Sequence, residues 1–493
     1  MVPHLRFPET QDAVAEEFIT GELVSREVSY SEFVQAVRRY RPSDLLPFLA
    51  SYSADRERES MLPTAGHWFP WAISAIAKES VLRGNELRDA NIDIVGLKRL
   101  VHLFNVSSDV VPGQSAASLM TQIAYEQLPY QESIYEEMAR THALLVHTER
   151  GQTAIQWEEL LGLGLDQAMR ASHILHAWII NNAGRYDPRI LDMLHFQEVY
   201  DKIAPRSEIE ATAKLLISTI SGLRQARTGA DERAPIPSRL ERYAFNPLKS
   251  QPLVDLGTAG IWAPQSMLVP RAFLGSNLYY RGLARWGKAF ADSLGDRTQR
   301  YVGRQLALFE GIALYPEIEY EKSKHSVDWI WVSDSAVILV ECKAARLTLD
   351  AQAGGNSLVT VMERYLGTAR SQIDKTARLI REYHPAFDLI PKDRPVAGVV
   401  TTAEQFYLAD TPFSGFASSA EVPATTLSLR DLEFLVGLPE AQAVSLVLDY
   451  AHLQGEGGRF GGAFSEDVMK RRNPILKEAW GHYDFLVEHG PKP

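Results

Sequence analysis

The sequence predicts a mainly α-helical first half followed by an α/β domain. Two observations carry that prediction. From about Ser29 to Ser221, apolar residues recur at three- and four-residue spacing with few Gly or Pro clusters, the pattern of amphipathic helices. From Ser276 onward, helix-spaced segments alternate with short apolar runs such as Val396 to Thr401 (VAGVVT), the pattern of a sheet flanked by helices. The 493 residues exceed what one core usually serves, so two or three domains are expected.

In chain order, the helical part carries Leu175, Trp178 and Ile179 on a segment starting near Asp166. A later segment carries Ile209, Ala213, Leu216, Ile217 and Ile220. Gln225 to Pro237 (QARTGADERAPIP) is polar and contains Gly229, Pro235 and Pro237, which makes it the best linker candidate. The expected division is therefore 1–235 as a helical recognition or regulatory region, 236–455 as the α/β domain and 456–493 as a tail with a helix around Trp480 to Val487. Phe245 to Phe273, rich in Pro and aromatics, reads as irregular packed structure. Asn277 to Phe309 reads as one or two helices with Gly295 as a joint. Ala313 to Tyr320 is a strand that Pro316 confines to an edge or a bulge. Ser326 to Cys342 is a hairpin. Ser357 to Tyr383 is a long helix with Val361, Tyr365, Ala369, Gln372, Ile373, Thr376 and Ile380 along one side. Val396 to Thr401 and Thr425 to Leu427 are strands, the second leading into a helix over Leu429 to Val436.

Composition narrows the function. Apolar content of 45% and charged content of 23% suit a globular chain and argue against global disorder. The single cysteine, Cys342, excludes an intramolecular disulfide and a thiolate-based zinc site, and it fits a reducing cytoplasm. Met1 to Thr20 lacks the apolar stretch of a signal peptide. Apolar runs such as Ala143 to Val146 and Val337 to Val340 are too short to cross a bilayer, so no membrane partner is expected. A net charge of -11 argues against indiscriminate coating of nucleic acid, though a local basic groove can work inside an acidic protein.

The hairpin carries the chemistry. With Asp334-Ser335 as its turn, Ser333 faces Ala336 and Val332 faces Val337. Carried outward, Asp328 faces Glu341, with Cβ atoms ~4.5–5.5 Å apart. Lys343 lies two residues beyond Glu341 and shares its face. Ile330, Val332, Val337 and Leu339 fill the rest of that face. Trp329, Trp331, Ile338, Val340 and Cys342 form the other, so the hairpin is central and buried. Opposed carboxylates in such a place repel and are poorly solvated. A hard divalent cation resolves the conflict, and Mg²⁺ prefers one or two carboxylates plus waters and phosphate oxygens. Such a metal polarises a phosphodiester, with Lys343 orienting water or steadying phosphate charge. The bland alternative is an ion triad in which Lys343 neutralises both acids.

The order helix, strand, hairpin bearing Asp328…Glu341-Cys342-Lys343, helix, strand resembles the PD-(D/E)xK nuclease superfamily, over roughly Ser276 to Val436. The resemblance implies a restriction-endonuclease-like mixed sheet and a Mg²⁺- or Mn²⁺-dependent nuclease. It makes Asp328, Glu341 and the Cys342 carbonyl the metal ligands and Lys343 the catalytic lysine. Val327 stands where many members have Pro. Gly295 to Val302 has the rhythm of a family phrase in the first core helix, but Gln299 stands at its acidic position, which moves that role to Glu310, Glu317 or Glu319 or removes a second metal. Gln372 matches a Gln found after the hairpin in some relatives, with Thr376 in place of their Tyr. Arg297, Arg300, Arg304, Arg346, Lys375 and Arg378 are candidate phosphate contacts. The resemblance also implies DNA, favoured over RNA, as substrate, a prokaryotic defence or restriction role, and a possible protein trigger acting through the helical half. The alternatives are an RNase using the same site and a non-catalytic binding module.

Other signals are set aside. Gly282 to Ala289 (GLARWGKA) imitates a P-loop but lacks the Ser/Thr and the preceding strand. His142, His147, His173 and His176 lack an acidic partner at metal-ligand spacing. Leu160 to Ala171 has a faint helix-turn-helix flavour with only Arg170 as a strong base reader. His325 is a strand-edge residue near Asp328.

Overall fold

Polar caps set where the first helices begin. Ser29, Asp93, Ser115 and Ser133 each accept an N–H three residues on, starting Tyr30–Val37, Ile94–Val106, Ala116–Gln127 and Ile134–Thr141. The structure, a computed structural model, describes residues 28–60, 69–107, 115–193, 200, 203–344, 346–411, 421–453 and 460–483. Pro42–Ser60, Pro70–Arg83, Leu165–Asn181, Arg206–Leu216 and Ile220–Arg233 complete the main helices of the first half. Phe33, Leu45, Leu49, Ile76 and Phe104 are fully buried in a core that these early helices share.

The linker expected over Gln225 to Pro237 is corrected: its first nine residues lie in the helix Ile220–Arg233. Within it, Arg227 bonds Asp231 one turn on at 2.6 Å, across Gly229. The helix is also tied down, since Arg224 donates to the Val81 carbonyl at 2.9 Å and Arg227 to Glu241 at 3.2 Å. A small sheet joins both sides of position 235, with Ile217–Thr219 (β2) parallel to Leu253–Asp255 (β3). β3 pairs antiparallel with Ile261–Trp262 (β4), which pairs with Arg185–Tyr186 (β1). One continuous core runs from Met138 to Tyr483 and includes Trp331, Ile338 and Val340 of the hairpin.

The larger sheet of the described residues has five strands, in the order Ala424–Ser428 (β11), Val396–Thr402 (β10), Val337–Lys343 (β9), Trp329–Val332 (β8) and Ala313–Pro316 (β5). β9, β10 and β11 are mutually parallel; β8 is antiparallel to both β9 and β5. Pro316 ends the edge strand, where its missing N–H costs no ladder bond. Glu319–Glu321 (β6) and Lys324–His325 (β7) form a separate small hairpin. An α/β domain thus follows the helical region, as expected. Among the described residues no helix is long and apolar enough to cross a membrane.

Helices cover both faces of this sheet. Ile330, Val332, Val337 and Leu339 pack with Leu366, Ala369, Ile373 and Ala377 of the helix after the hairpin. That helix begins as Ser357–Met362, passes through a π turn over Glu363–Gly367 and continues as Thr368–Arg381. The wider turn shifts the helical phase. Leu358, Met362 and Leu366 are therefore buried, while the expected Val361 and Tyr365 are half-buried.

The opposite face packs on Gly275–Leu306, a helix bent at Gly287 (φ 56°, ψ −132°). The joint expected at Gly295 is corrected to Gly287, the position with the left-handed φ that glycine adopts freely. The P-loop imitation is this bend. Gly303 lets the helix touch the sheet, because a Cβ there would lie 2.1 Å from the Trp329 ring. Gly303→Ala is expected to cost about 1–3 kcal/mol by overpacking, visible as a lower denaturant midpoint.

Candidate functional site

The hairpin has the predicted register, with Trp329 opposite Val340, Ile330 opposite Leu339, Trp331 opposite Ile338 and Val332 opposite Val337. Its turn is Asp334-Ser335, closed by Ser333 N–H to the Ala336 carbonyl at 3.0 Å. The ladder stops at Trp329. One residue earlier the chain bends, and Asp328 Oδ2 accepts the N–H of Cys342 at 2.6 Å. The carboxylate thus takes the place of the next ladder bond. On β9, Lys343 Nζ donates to Glu341 Oε1 at 2.7 Å.

The strand also places a main-chain oxygen. The N–H and C=O of one strand residue point to the same edge. Since the Cys342 N–H meets Asp328, the Cys342 carbonyl faces that edge too. The Lys343 carbonyl points the other way and accepts from Ala403 at 3.0 Å.

Burial dominates the electrostatics. Glu341 is 3% exposed, and its Oε2 has no hydrogen-bond partner. Burial first, and then the charge of Asp328, pushes its pKa up to about 7. Burial also raises the pKa of Asp328, against the pull of the Cys342 N–H and Lys343, and Glu317 adds to the rise. Glu317 is therefore the candidate acid whose charge is felt at Asp328; it also pairs with His325 at 3.4 Å. Burial pushes the Cys342 thiol up, so it stays protonated.

The helix after the hairpin holds the approach to Asp328. Gln372 Nε2 donates to the Ser326 carbonyl at 3.0 Å, and one turn on, Thr376 Oγ1 accepts the Val327 N–H at 3.1 Å. Gln372 thus holds main chain next to Asp328. Thr376, visible in the sequence only as a departure from Tyr, is its working partner. Thr376→Val leaves a buried N–H unmatched and is expected to cost about 1–3 kcal/mol, read by chemical denaturation.

No family model, curated protein or solved structure matches this chain. The site therefore stands on its own geometry.

Gln299 reaches the hairpin from the other side. Its main-chain carbonyl accepts from Trp329 Nε1 at 2.8 Å, and Trp329 packs on the face opposite Ile330 and Leu339. Among the candidate phosphate contacts, Arg297 is corrected. It is buried and donates to the carbonyls of His147 at 2.8 Å and Thr153 at 2.7 Å, so it binds the fold together. Arg300 bonds Asp296 at 2.9 Å, Arg346 pairs with Glu404 at 3.5 Å and Arg378 with Glu421 at 2.8 Å. Lys375, beside Gln372 and Thr376, lies over the Tyr320 ring at 5.2 Å.

One of the four histidines acquires an acidic partner. Glu57, distant in sequence, meets His176 Nε2 at 2.8 Å. The helix-turn-helix candidate falls on Glu158–Leu161 and Leu165–Asn181; Leu165, Ala168, Met169 and Ala171 are buried in the core, and Arg170 pairs with Asp166 at 3.5 Å. No group of three or more His, Cys, Asp or Glu among the described residues is arranged to hold a metal by side chains alone.

Proposed function

We propose that the α/β domain is a divalent-metal-dependent nuclease of the PD-(D/E)xK kind, with DNA as the favoured substrate. Asp328, Glu341 and the Cys342 carbonyl would hold Mg²⁺ or Mn²⁺. The observation that carries this is the orphaned Oε2 of Glu341, buried next to Asp328 at the end of the hairpin. A hard cation with two carboxylates, a carbonyl and waters suits that donor set. When bound, it polarises a phosphodiester and acidifies a coordinated water.

The chain's own groups do the rest. Lys343, with its side chain 20% exposed, opens toward solvent and orients the attacking water or steadies the phosphate. Gln372 and Thr376 hold the main chain leading into Asp328. The reading includes a protein trigger acting through the helical half, in keeping with a defence or restriction effector. A second reading, a non-catalytic module, is favoured by the closed Lys343–Glu341 pair, which partly satisfies the acids without a cation. The test is incubation with plasmid DNA, single-stranded DNA and RNA in Mg²⁺, Mn²⁺ or EDTA, beside Asp328→Ala and Lys343→Ala. Metal-dependent cleavage lost in both variants supports the nuclease and names its substrate. Cleavage surviving both rejects this site. If no version cleaves, failure of Mg²⁺ and Mn²⁺ to raise the melting temperature rejects the metal centre.

A further inference from the structure

Ser118, Gln122 and Tyr125 fall at i, i+4 and i+7 along the helix Ala116–Gln127 of the helical half, which puts them in one stripe. That stripe is seated on main chain of the α/β domain. Ser118 Oγ donates to the Gly354 carbonyl, Gln122 Nε2 to the Ala353 carbonyl at 2.8 Å and Tyr125 Oη to the Gln405 carbonyl at 2.8 Å. Ser118 and Gln122 are buried. The approach is close, because a Cβ at Gly354 would lie 2.5 Å from the Ser118 carbonyl oxygen. Gly354 also has φ 64°, so glycine answers both demands of the seat.

The three carbonyls belong to segments that leave the carboxylate site. Ala353 and Gly354 close the stretch 346–354, which follows β9 and Lys343. Gln405 lies two residues after Ala403, whose N–H holds the Lys343 carbonyl at 3.0 Å. Glu404 ties the two segments together: it accepts the Leu347 N–H at 3.3 Å and pairs with Arg346 at 3.5 Å. Tyr280 Oη and Gln352 Nε2 both donate to the Leu347 carbonyl, at 2.7 and 3.2 Å. Such irregular main chain has no ladder to fix it, so side chains from neighbouring helices do so. A shift of Ala116–Gln127 therefore reaches Lys343 by two routes, along 346–354 and through Ala403.

We propose that Ser118, Gln122 and Tyr125 are positioning residues through which the helical half controls the cleavage site. Seated, the helix holds the main chain around Lys343 in register for reaction; lifted, it releases that main chain. A trigger that moves this helix changes turnover without touching the substrate. The effect on turnover rests on the nuclease reading, whereas the seat itself rests on the hydrogen bonds alone.

The test compares the full chain with Gln122→Met/Tyr125→Phe, which removes two donors at nearly constant volume. Tyr125→Phe alone is the milder variant should the double fail to fold. Amide hydrogen exchange over 346–354 is expected to rise about tenfold or more in the double variant and about threefold or more in the single one, with exchange in β10 unchanged. Turnover is measured in Mn²⁺ and divided by the calorimetric Mn²⁺ stoichiometry, so that only intact sites count. The double variant is expected to lose about tenfold in kcat with KM within about twofold. Unchanged exchange over 346–354 overturns the seat. Raised exchange with unchanged kcat per site overturns the control of cleavage. A wild type that neither binds Mn²⁺ nor cleaves removes the nuclease reading, and with it the effect on turnover, while exchange still decides whether the helix holds the segment.

Discussion

Asp328→Asn is expected to lower metal-dependent cleavage by about 10²–10³-fold while leaving the fold in place. The amide keeps an oxygen to accept the Cys342 N–H, which Asp328 now holds at 2.6 Å, and it keeps the volume of the side chain. Only the charge is lost. Alanine would remove that hydrogen bond as well, so a loss in Asp328→Ala alone would mix catalysis with structure. The check is turnover in Mg²⁺ together with the thermal melt. Lost turnover with an unchanged melt assigns the charge to the chemistry. Full turnover in Asp328→Asn would remove Asp328 from the proposed metal set.

Glu341→Gln is expected to abolish cleavage yet stabilise the metal-free protein above neutral pH. The sign follows from the raised pKa. Glu341 titrates near 7 in the fold against an ordinary value of 4.5. Its favourable contribution is fully present below about pH 4.5 and lost as pH rises through 7. That shift corresponds to about 3 kcal/mol lost by the native chain, and partial relaxation around the site makes about 1–3 kcal/mol the expected gain for Gln. Denaturation in EDTA at about pH 5 and about pH 8 measures it: the variant's advantage should grow with pH. Adding Mg²⁺ should reverse the order, because the cation stabilises the ionised wild-type site and has less to hold in the variant. A variant less stable than wild type at high pH would contradict the buried, poorly satisfied carboxylate. An unreversed order in Mg²⁺ would contradict the metal centre.

Some of the site was legible because its determinants are local. A two-residue turn and strict alternation set the register from Val332–Val337 out to Trp329–Val340; beyond it the ladder expected for Asp328 and Glu341 gives way to a bend that puts Asp328 on the Cys342 N–H, while the strand keeps Lys343 on Glu341. Pro316 marked an edge. Other features depend on partners far along the chain. The polar run at 225–233 became helix because Val81 and Glu241 receive its arginines. The bend fell at Gly287 rather than Gly295 through a left-handed φ that composition does not reveal. The π turn at Glu363–Gly367 moved the buried face by one residue, and periodicity assumes that no such turn intervenes.

By itself, then, the sequence determined the helical and α/β character, the hairpin and its acid-acid-lysine cluster, because period-two and period-3.6 patterns and turn chemistry act over a few residues. Only the tertiary structure decided that Gln372 and Thr376 hold the approach to Asp328, that Arg297 braces carbonyls, and that Glu57 answers His176. Each depends on which distant groups burial brings within hydrogen-bond range, and on how far it strips water from them.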